Sequence, residues 1–446
     1  MEYKKLILDR LLDKYEKSKS FMDETSNRRI LLKMGDRDFP EYDVEKPLVR
    51  ETFNSVVKEL AGKELVSFEW LKYETGNIID KIWLLISNVD KAYLEISRKP
   101  KRDVLDAVLQ YVDRLSGKIA LRNERIAQRN VEINAVQCIQ GLTSAEEADL
   151  GTEILAWMEN FLKDVRMNIE NRSTIAGLLP DDEEQSLAVL RVFEEIIDLE
   201  GGEFLERAFS LRCFGDSKYF EKKVKGRVAG IIRRYFNKPE ESFEMTDDEI
   251  LAQIGILQFP ELIEFKGGLV GEVNGWSIDF SAFVYGASIN SDTVRGLKII
   301  GIGQVKKILF IENKANYIDF ASKNADPTLM TVFHGGFYSP LKSLFLKKLS
   351  DAATNLGVDF FHWSDIDLGG FLIFNRLKTN IIPGLKPYLM DVEALKSKMK
   401  HTVPINEKYM RKIERLLHDP GFAEFRSVME YMLEYRIKLE QEAFLL

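Results

Sequence analysis

The spacing of hydrophobic residues changes along the chain, and each change predicts a different kind of element. Over Leu48–Leu60 the apolar residues recur every three or four positions, which predicts an amphipathic helix. Two β-rich segments follow, Leu65–Lys72 and Ile78–Ile86, and a turn around Gly76 joins them. A helix followed by a two-stranded wing is the winged-helix pattern. Residues 1–98 are therefore expected to form a winged-helix-like arm domain, a module that serves contacts with DNA or with other proteins.

Residues 99–200 have a helical pattern almost throughout. Apolar residues recur at three- and four-residue steps in VLDAVLQYVDRL and in EILAWMENFLKDV. Charged runs such as RNERIAQRN fit a solvated helix face better than a binding surface. This segment is predicted to be an extended helical arm.

The next segment, residues 201–300, combines helices with hairpins. Two helical stretches flank the turn Gly215–Asp216–Ser217. Thr246 and Glu249 have the spacing of a capping box ahead of a further helix. The apolar and glycine-rich residues that follow predict β-hairpins as far as about residue 300.

A basic segment stands out within an acidic protein. The chain has 63 Lys and Arg against 71 Asp and Glu, a net charge of −8, which repels a polyanion at long range. Residues 203–236 are the exception, because their nine basic residues outnumber their four acids. This basic segment either contacts phosphates or forms a solvated helix face. Its candidate nucleic-acid contacts are Arg212, Lys218, Tyr219, Lys222, Lys225 and Arg227.

Residues 306–390 alternate short apolar strands with helices. The strands are KILFI (307–311), LMTVF (329–333) and DFFHW (359–363). Such alternation predicts a parallel sheet that is covered on both faces. The tail from about Asn406 returns to an amphipathic helical pattern.

Acidic residues follow two of these strands, at the edge where open α/β sheets bind ligands. Glu312 directly follows the first strand, and Asp365 and Asp367 follow the third. Three carboxylates at one place repel one another unless a cation lies among them or a proton is shared. All-oxygen ligation favours Mg²⁺ or Mn²⁺, the ions that assist phosphoryl transfer. We therefore predict that the three acids are metal ligands and catalytic residues.

His334 also follows a strand, so it is a candidate at the same edge. It could contact a phosphate or act as an acid or base, although a lone histidine is more often structural.

Composition narrows the class of protein further. With 446 residues the chain is long enough for two to four domains. Its two cysteines are too few for a disulfide framework or a thiolate metal site. The first residues lack the apolar core of an export signal, and no stretch approaches 18 uncharged apolar residues. We expect a cytoplasmic protein without membrane segments.

A family resemblance rests on four stretches of sequence. ILFIENKANYIDF, TVFHGGFYSP and DFFHWSDIDLGGFLIFNRL resemble a Toprim domain, the metal-binding fold shared by topoisomerases, primases and related nucleases. With RCFGDSKYFE added, the chain is similar to the nuclease subunits of Wadjet plasmid-defence systems, the JetD family. The resemblance is strongest over about residues 203–400 and faint in the N-terminal half. It puts Glu312, Asp365 and Asp367 at the family's metal-ligand positions.

The resemblance implies a multidomain α+β and α/β protein. The family is similar in fold to the A subunit of topoisomerase VI, which couples a winged-helix domain of the catabolite-activator type to Toprim. By this similarity residues 201–300 form a winged-helix DNA-binding domain, and residues 301–446 form a Toprim domain with a helical tail. The family also implies a homodimer that uses Mg²⁺ or Mn²⁺ to cleave double-stranded DNA, in particular closed circular plasmid. The implied partners are the SMC, kleisin and kite subunits of a condensin-like complex.

Two other functions stay open. Topoisomerase VI-type enzymes use a winged-helix tyrosine as nucleophile, and Tyr219 precedes Glu312 by a similar separation. The defence nucleases as a rule lack that nucleophile, so Tyr219 is expected to face DNA or to pack. The second alternative is a non-catalytic DNA-binding adaptor whose acidic site senses metal or docks onto a partner.

Overall fold

The computed structural model divides the chain into two compact units. It describes residues 2–22, 29–35, 38–140, 147–171, 175–199, 203–236, 245–354 and 356–446, with side chains described except over 129–140 and 147–153 and at 354. The first unit comprises Met1–Leu121 and Glu159–Leu190, and the second comprises Arg122–Met158 and Arg191–Leu446. The expected boundary at residues 200 and 201 lies outside the described residues. The division into four domains remains a prediction.

The N-terminal elements include the helix and the two strands expected from the sequence. They are α1 (Glu2–Glu16), α2 (Lys19–Met22), β1 (Ile30–Lys33), α3 (Pro47–Gly62), β2 (Val66–Trp70), β3 (Ile79–Leu84) and α4 (Val89–Glu95). Strand β3 lies between β1 and β2 and pairs antiparallel with both. Phe53, Val57 and Leu60 form the buried stripe of α3. The sequence pattern did not predict β1, because four residues are too few to show a clear period.

Three helices follow, as the sequence predicts for this segment. They are α5 (Lys101–Gln140), α6 (Glu147–Glu170) and α7 (Glu183–Asp198). No helix in the described part of the chain is both long and apolar enough to span a membrane.

The segment before the main sheet contains short helices and then hairpins. Its elements are β4 (Phe204–Leu205), α8 (Glu206–Phe214), α9 (Lys225–Tyr235), α10 (Asp247–Ala252), β5 (Ile256–Leu257), β6 (Leu262–Lys266), β7 (Val270–Val273), β8 (Trp276–Asp279), β9 (Ala287–Asn290), α11 (Ser291–Gly296) and β10 (Lys298–Gly301). Gly215 ends α8 with φ of 72°, a left-handed conformation that favours glycine. The predicted capping box is present, since the Thr246 side chain accepts from the backbone N–H of Glu249 and the Glu249 carboxylate accepts from that of Thr246.

The main sheet carries the three strands predicted from the sequence, with the predicted bounds. Besides β6 and β9, the sheet contains β11 (Lys307–Ile311), β12 (Leu329–Phe333), β13 (Asp359–Trp363) and β14 (Lys386–Pro387). The order across the sheet is β14-β13-β11-β12-β6-β9. Strand β11 is parallel to both β12 and β13, whereas β6 joins β12 antiparallel. The chain is therefore a mixed α and β protein with several sheets.

Helices separate the parallel strands, and a helical tail follows the sheet. These elements are α12 (Lys314–Lys323), α13 (Pro340–Thr354), α14 (Leu368–Asn380), α15 (Val392–Ser397), β15 (Val403–Pro404), α16 (Glu407–Leu417), α17 (Arg426–Tyr435) and β16 (Ile437–Lys438). Asn406 caps α16 by accepting from the backbone N–H of Tyr409, as the start of an amphipathic helix near that residue predicts. A short 3₁₀ helix, Gln441–Leu445, ends the chain.

The parallel register aligns the carboxyl ends of the three central strands. Ile311 of β11 lies opposite Phe333 of β12 and Trp363 of β13. The residue after each strand therefore stands at the same edge of the sheet, and one of these residues is Glu312.

One face of the sheet buries a pair of histidines. The rings of His334 and His362 lie 4.9 Å apart between centroids, and His362 also meets the ring of Phe374 edge-on at 5.7 Å. His362 is fully buried and His334 is 2% exposed. Burial lowers the pKa of His334 to about 3, with a smaller contribution from Lys342, and burial holds the pKa of His362 well below its ordinary value.

Helix α14 starts in close contact with the backbone that follows β13. A Cβ atom on Gly370 would overlap the carbonyl oxygen of Asp365 and would lie 2.5 Å from Oγ of Ser364. Only glycine allows this approach, which sets the position of the loop from Ser364 to Asp367.

Replacing Gly370 with Ala should lower the free energy of unfolding by about 1–3 kcal/mol, because the added methyl group overpacks against backbone. Urea unfolding measures the loss. Gly384→Ala is the matched control, since no heavy atom other than those of its chain neighbours lies within 4 Å of the added Cβ. Equal stability of the two variants would contradict this account of the loop.

Each of the two buried histidines contributes stability that is lost as the pH falls. Both stay neutral in the folded state, whereas in the unfolded chain each takes up a proton near its ordinary pKa of 6.5. The contribution of each histidine is therefore complete above that pKa and is lost below it, by about 1.4 kcal/mol per histidine between about pH 7.5 and pH 5.5. Other groups also titrate in this range, so the test is the difference between variant and wild type. Urea unfolding at the two pH values should show that lowering the pH is less unfavourable, by about 1.4 kcal/mol, for His362→Phe than for the wild type. The exposed-site variant His418→Asn should respond to pH like the wild type, and an identical response in His362→Phe would contradict the prediction.

Candidate metal centre

Glu312 is fixed at the end of the central parallel strand. Its backbone N–H donates to the carbonyl oxygen of Trp363 at 3.0 Å, and the backbone N–H of His334 donates to that of Ile311 at 3.1 Å. These bonds continue the ladder one step beyond β11. The Glu312 side chain therefore starts from a rigid position, between the ends of β12 and β13.

The two aspartates occupy the turn between β13 and α14. Asp367 is the N-cap of α14, and its Oδ1 accepts from the backbone N–H of Gly370 at 3.0 Å. Ile366 is held from outside the turn, because it exchanges two backbone hydrogen bonds with Leu439, at 2.9 and 3.2 Å. The turn is thus fixed at both ends, and each aspartate has a defined place.

The structure brings the three predicted acids close enough to repel one another. Burial, followed by repulsion from Asp365 and then Asp367, raises the pKa of Glu312 to about 8. Burial, followed by repulsion from Asp367, raises the pKa of Asp365 to about 7. Near neutral pH these two carboxyls lose their protons readily only if positive charge is added between them.

One atom of the cluster has no partner to satisfy it. Oε2 of Glu312 is buried and accepts no hydrogen bond from any residue that the structure describes. An orphaned carboxylate oxygen within the electrostatic reach of two further carboxylates fits a divalent cation that prefers oxygen ligands, such as Mg²⁺ or Mn²⁺. The donor set therefore suits the ions predicted from the sequence.

The C-terminal segment adds charged groups that sequence analysis missed. Glu440 and Glu442 each present a carboxylate oxygen to Asp365, and the three oxygens lie within 4.8 Å of one another. Lys438 donates to Oδ2 of Asp367 at 3.1 Å and to Glu440 at 2.7 Å. Burial lowers the pKa of Lys438, but its bond to Glu440 and the charge of Asp367 outweigh this effect, and its pKa lies above the ordinary value. The run EQE at 440–442 is a weak sequence signal for a place in this site. No local pattern relates it to Asp365 and Asp367, which lie more than 70 positions earlier in the chain.

Glu249 is a further acid near the site. Its charge contributes to raising the pKa of Glu312, after burial and the two aspartates. A Cβ atom on Gly336 would lie 2.5 Å from Oε1 of Glu249, so the start of α10 approaches the loop after β12. The sequence indicated Glu249 only as a capping residue, and it serves that role as well.

The basic segment of residues 203–236 is partly neutralised by the protein itself. Lys225 is mostly buried and pairs with Glu206 at 2.6 Å and with Asp248 at 2.5 Å. Arg212 pairs with Glu195 at 2.5 Å. Lys218 and Lys222 are exposed, and Arg227 is half-buried. Of the predicted phosphate contacts, Lys218 and Lys222 are therefore the most accessible, and Lys225 is the least.

Tyr219 and His334 lie in packed surroundings. The ring of Tyr219 is half-buried and lies against that of Phe214, with 4.6 Å between centroids. His334 is buried beside His362, and neither of its ring nitrogens has a hydrogen-bond partner among the described residues. Direct contact with a phosphate would require the imidazole of His334 to leave the core. Its burial fits the structural role, which is the commoner one for a lone histidine.

Two comparisons with known proteins relate the chain to the JetD proteins of Wadjet systems. Residues 282–445, which include all three predicted acids, match the family model described as "Wadjet protein JetD, C-terminal". Over 448 aligned residues the chain is 27% identical to the Wadjet protein JetD of Bacillus cereus (strain Q1), and the alignment covers 99% of this chain and 98% of that protein. The chain is therefore similar over almost its whole length to a JetD protein of a Wadjet system, and its residues 282–445 match the C-terminal model of that family.

Proposed function

We propose that the protein is a metal-dependent DNA endonuclease, the effector of a Wadjet system that acts against plasmids. The observation that carries the proposal is the convergence of Glu312, Asp365 and Asp367 at one sheet edge, with a buried oxygen of Glu312 left unpaired. The similarity to JetD proteins supports the same conclusion. The resemblance seen in the sequence implies that these acids stand at the family's metal-ligand positions.

The three acids would hold Mg²⁺ or Mn²⁺, with Glu440 and Glu442 at the rim of the same cluster. A divalent cation bound there supplies the positive charge that stabilises the attacking and leaving oxygens in phosphodiester hydrolysis. Lys438 would orient Asp367 through their ion pair. The close approach at Gly370 and the N-cap hydrogen bond of Asp367 would hold the aspartate turn in place while the DNA is cleaved.

The basic segment would bind the DNA backbone without reading bases. Lys218 and Lys222 are exposed and available for phosphates, and Arg212 and Arg227 lie in the same segment. Such contacts position a duplex but carry no sequence information. Cleavage of both strands would need two active sites, which fits the homodimer implied by the family resemblance.

The order of the main sheet supports the Toprim assignment. The acid-bearing strands β11 and β13 are parallel neighbours, and each is followed by a helix. This arrangement puts a glutamate and an aspartate pair at the same edge of the sheet, which is the pattern that the resemblance to Toprim implies.

The net charge supports control by partner proteins. At −8 the isolated chain repels DNA at long range, so we expect it to bind DNA weakly at physiological salt. A condensin-like complex of SMC, kleisin and kite subunits that presents DNA to the site would overcome this repulsion.

Hydrolysis is favoured over the two alternatives. The ring of Tyr219 packs against that of Phe214, which fits the packing role expected for this residue better than a role as nucleophile. A non-catalytic adaptor would not require Glu312 and Asp365 to stand where burial and neighbouring charges raise their pKa, because such an arrangement costs stability.

Wild-type protein with its partner subunits and Mg²⁺ or Mn²⁺ should cut supercoiled plasmid. Asp365→Ala should reduce the rate by at least about 100-fold while DNA binding is retained, because the main electrostatic stabilisation is lost. Gel assays of cleavage and mobility-shift assays of binding measure the two effects. Asp359→Ala is the matched control, since this exposed acid pairs with Lys386 at the opposite end of β13.

The same assays distinguish the alternatives. Tyr219→Phe should cut like the wild type, and the DNA ends should be free of protein after denaturation. Protein covalently attached to the ends would support transesterification instead. If Asp365→Ala kept the full defence activity in cells, the protein would be an adaptor and the endonuclease proposal would be wrong.

A further inference from the structure

The last residues of the chain form one side of the acidic cluster. We call Ile437–Leu445 the C-terminal strap. Strand β16 begins it, Leu439 exchanges backbone hydrogen bonds with Ile366 between the two aspartates, and the ring of Phe444 meets that of Trp363 at 5.6 Å. The strap is therefore held against the turn that carries Asp365 and Asp367.

Gln441 is the central residue of the strap. It is fully buried, and its backbone N–H donates to Oδ1 of Asp365 at 2.6 Å. Its Oε1 accepts from the backbone N–H of Asn313 at 2.9 Å, and its Nε2 donates to the carbonyl oxygen of Trp363 at 3.2 Å. Its own carbonyl oxygen accepts from Nδ2 of Asn316 at 2.8 Å.

These contacts join the two strand ends that carry the acids. Asn313 directly follows Glu312, and Trp363 precedes Asp365 by two residues. A primary amide can accept at one atom and donate at the other, so a single Gln side chain bridges both ends at once. The backbone N–H meanwhile fixes one oxygen of Asp365, which leaves the other oxygen to face a ligand.

We propose that Gln441 is a positioning residue for the metal centre, setting the separation of Glu312 and Asp365 and the orientation of the Asp365 carboxylate. The inference rests on the proposed function and adds the C-terminal strap to the active site. It acts through the two acids and does not require Gln441 to touch metal or DNA. Hydrogen-bond partners of this kind orient the ligands of metal sites, and their loss typically weakens metal binding about 10–100-fold.

Two substitutions separate the contributions of Gln441. Gln441→Met keeps the size of the side chain but removes both of its hydrogen bonds. Gln441→Pro also removes the backbone N–H that donates to Asp365. Proline is tolerated here, because residue 441 is the first residue of the 3₁₀ helix and Glu440 before it has the extended conformation, φ −77° and ψ 143°, that precedes proline.

Met432→Ala is the control for stability, since Met432 is fully buried in α17 and makes no contact with the acids among the interactions that the structure describes.

Calorimetric titration with Mn²⁺ measures metal binding directly, and plasmid cleavage at increasing Mg²⁺ measures its effect on activity. Gln441→Met should weaken Mn²⁺ binding about tenfold, and Gln441→Pro should weaken it further. Cleavage by Gln441→Met should approach the wild-type rate at high Mg²⁺. Met432→Ala should lose thermal stability but bind Mn²⁺ like the wild type.

The outcomes distinguish failure of this inference from failure of the proposed function. If the wild type binds Mn²⁺ and cuts DNA, and both Gln441 variants bind Mn²⁺ equally well, Gln441 is merely structural and the inference is wrong. If Gln441→Pro unfolds, the Mn²⁺ titration of Gln441→Met still tests whether Gln441 positions the metal centre. A wild-type protein that neither binds Mn²⁺ nor cuts DNA overturns both the endonuclease proposal and the role of Gln441.

Discussion

Mutual repulsion between buried carboxyl groups is the constraint on which the account depends. Glu312 and Asp365 are taken out of water and set beside Asp367, so the ionised form of each is disfavoured. A protein that needed these residues only for folding would be more stable with neutral side chains. A shared proton or a cation would relieve the repulsion, and the buried, unpaired oxygen of Glu312 favours the cation. This is the physical reason for assigning a metal site.

The fold holds the acids together against that repulsion by rigid means. Parallel pairing of β11 with β13 sets Glu312 beside the aspartate turn. The N-cap bond of Asp367 and the close approach of Gly370 fix the turn from one side, and the strap fixes it from the other. These contacts restrain the loop from Ser364 to Asp367 and so limit how far the carboxylates can separate to relieve their repulsion. The same rigidity would keep the site in a productive geometry when a cation binds.

Sequence analysis predicted the parts of the structure that depend on local patterns. The strands before Glu312 and Asp365, and the capping box of Thr246, follow from apolar runs and from the spacing of capping residues. The convergence of the acids was predictable as well, because the carboxyl ends of parallel strands share one edge.

The strap and the ion pairs of the basic segment could not be predicted in this way. Gln441 contacts Asp365, which lies 76 residues earlier in the chain, and no local hydrophobic pattern predicts such a contact. The segment 203–236 appeared uniformly basic in sequence, but the partners of Lys225 and Arg212 come partly from other segments, in Asp248 and Glu195. Burial of His334 likewise depends on how the sheet is covered, which a single position after a strand does not reveal. Tertiary contacts thus decide which of the predicted residues are available for function.

The most direct test of the central claim is the position of Mn²⁺ in crystals of the protein, located by its anomalous scattering. The account predicts a peak bounded by the carboxylates of Glu312, Asp365 and Asp367, and the absence of that peak in Glu312→Gln. A well-ordered cluster without Mn²⁺ at millimolar concentration, or an ion bound only at some other place, would contradict it.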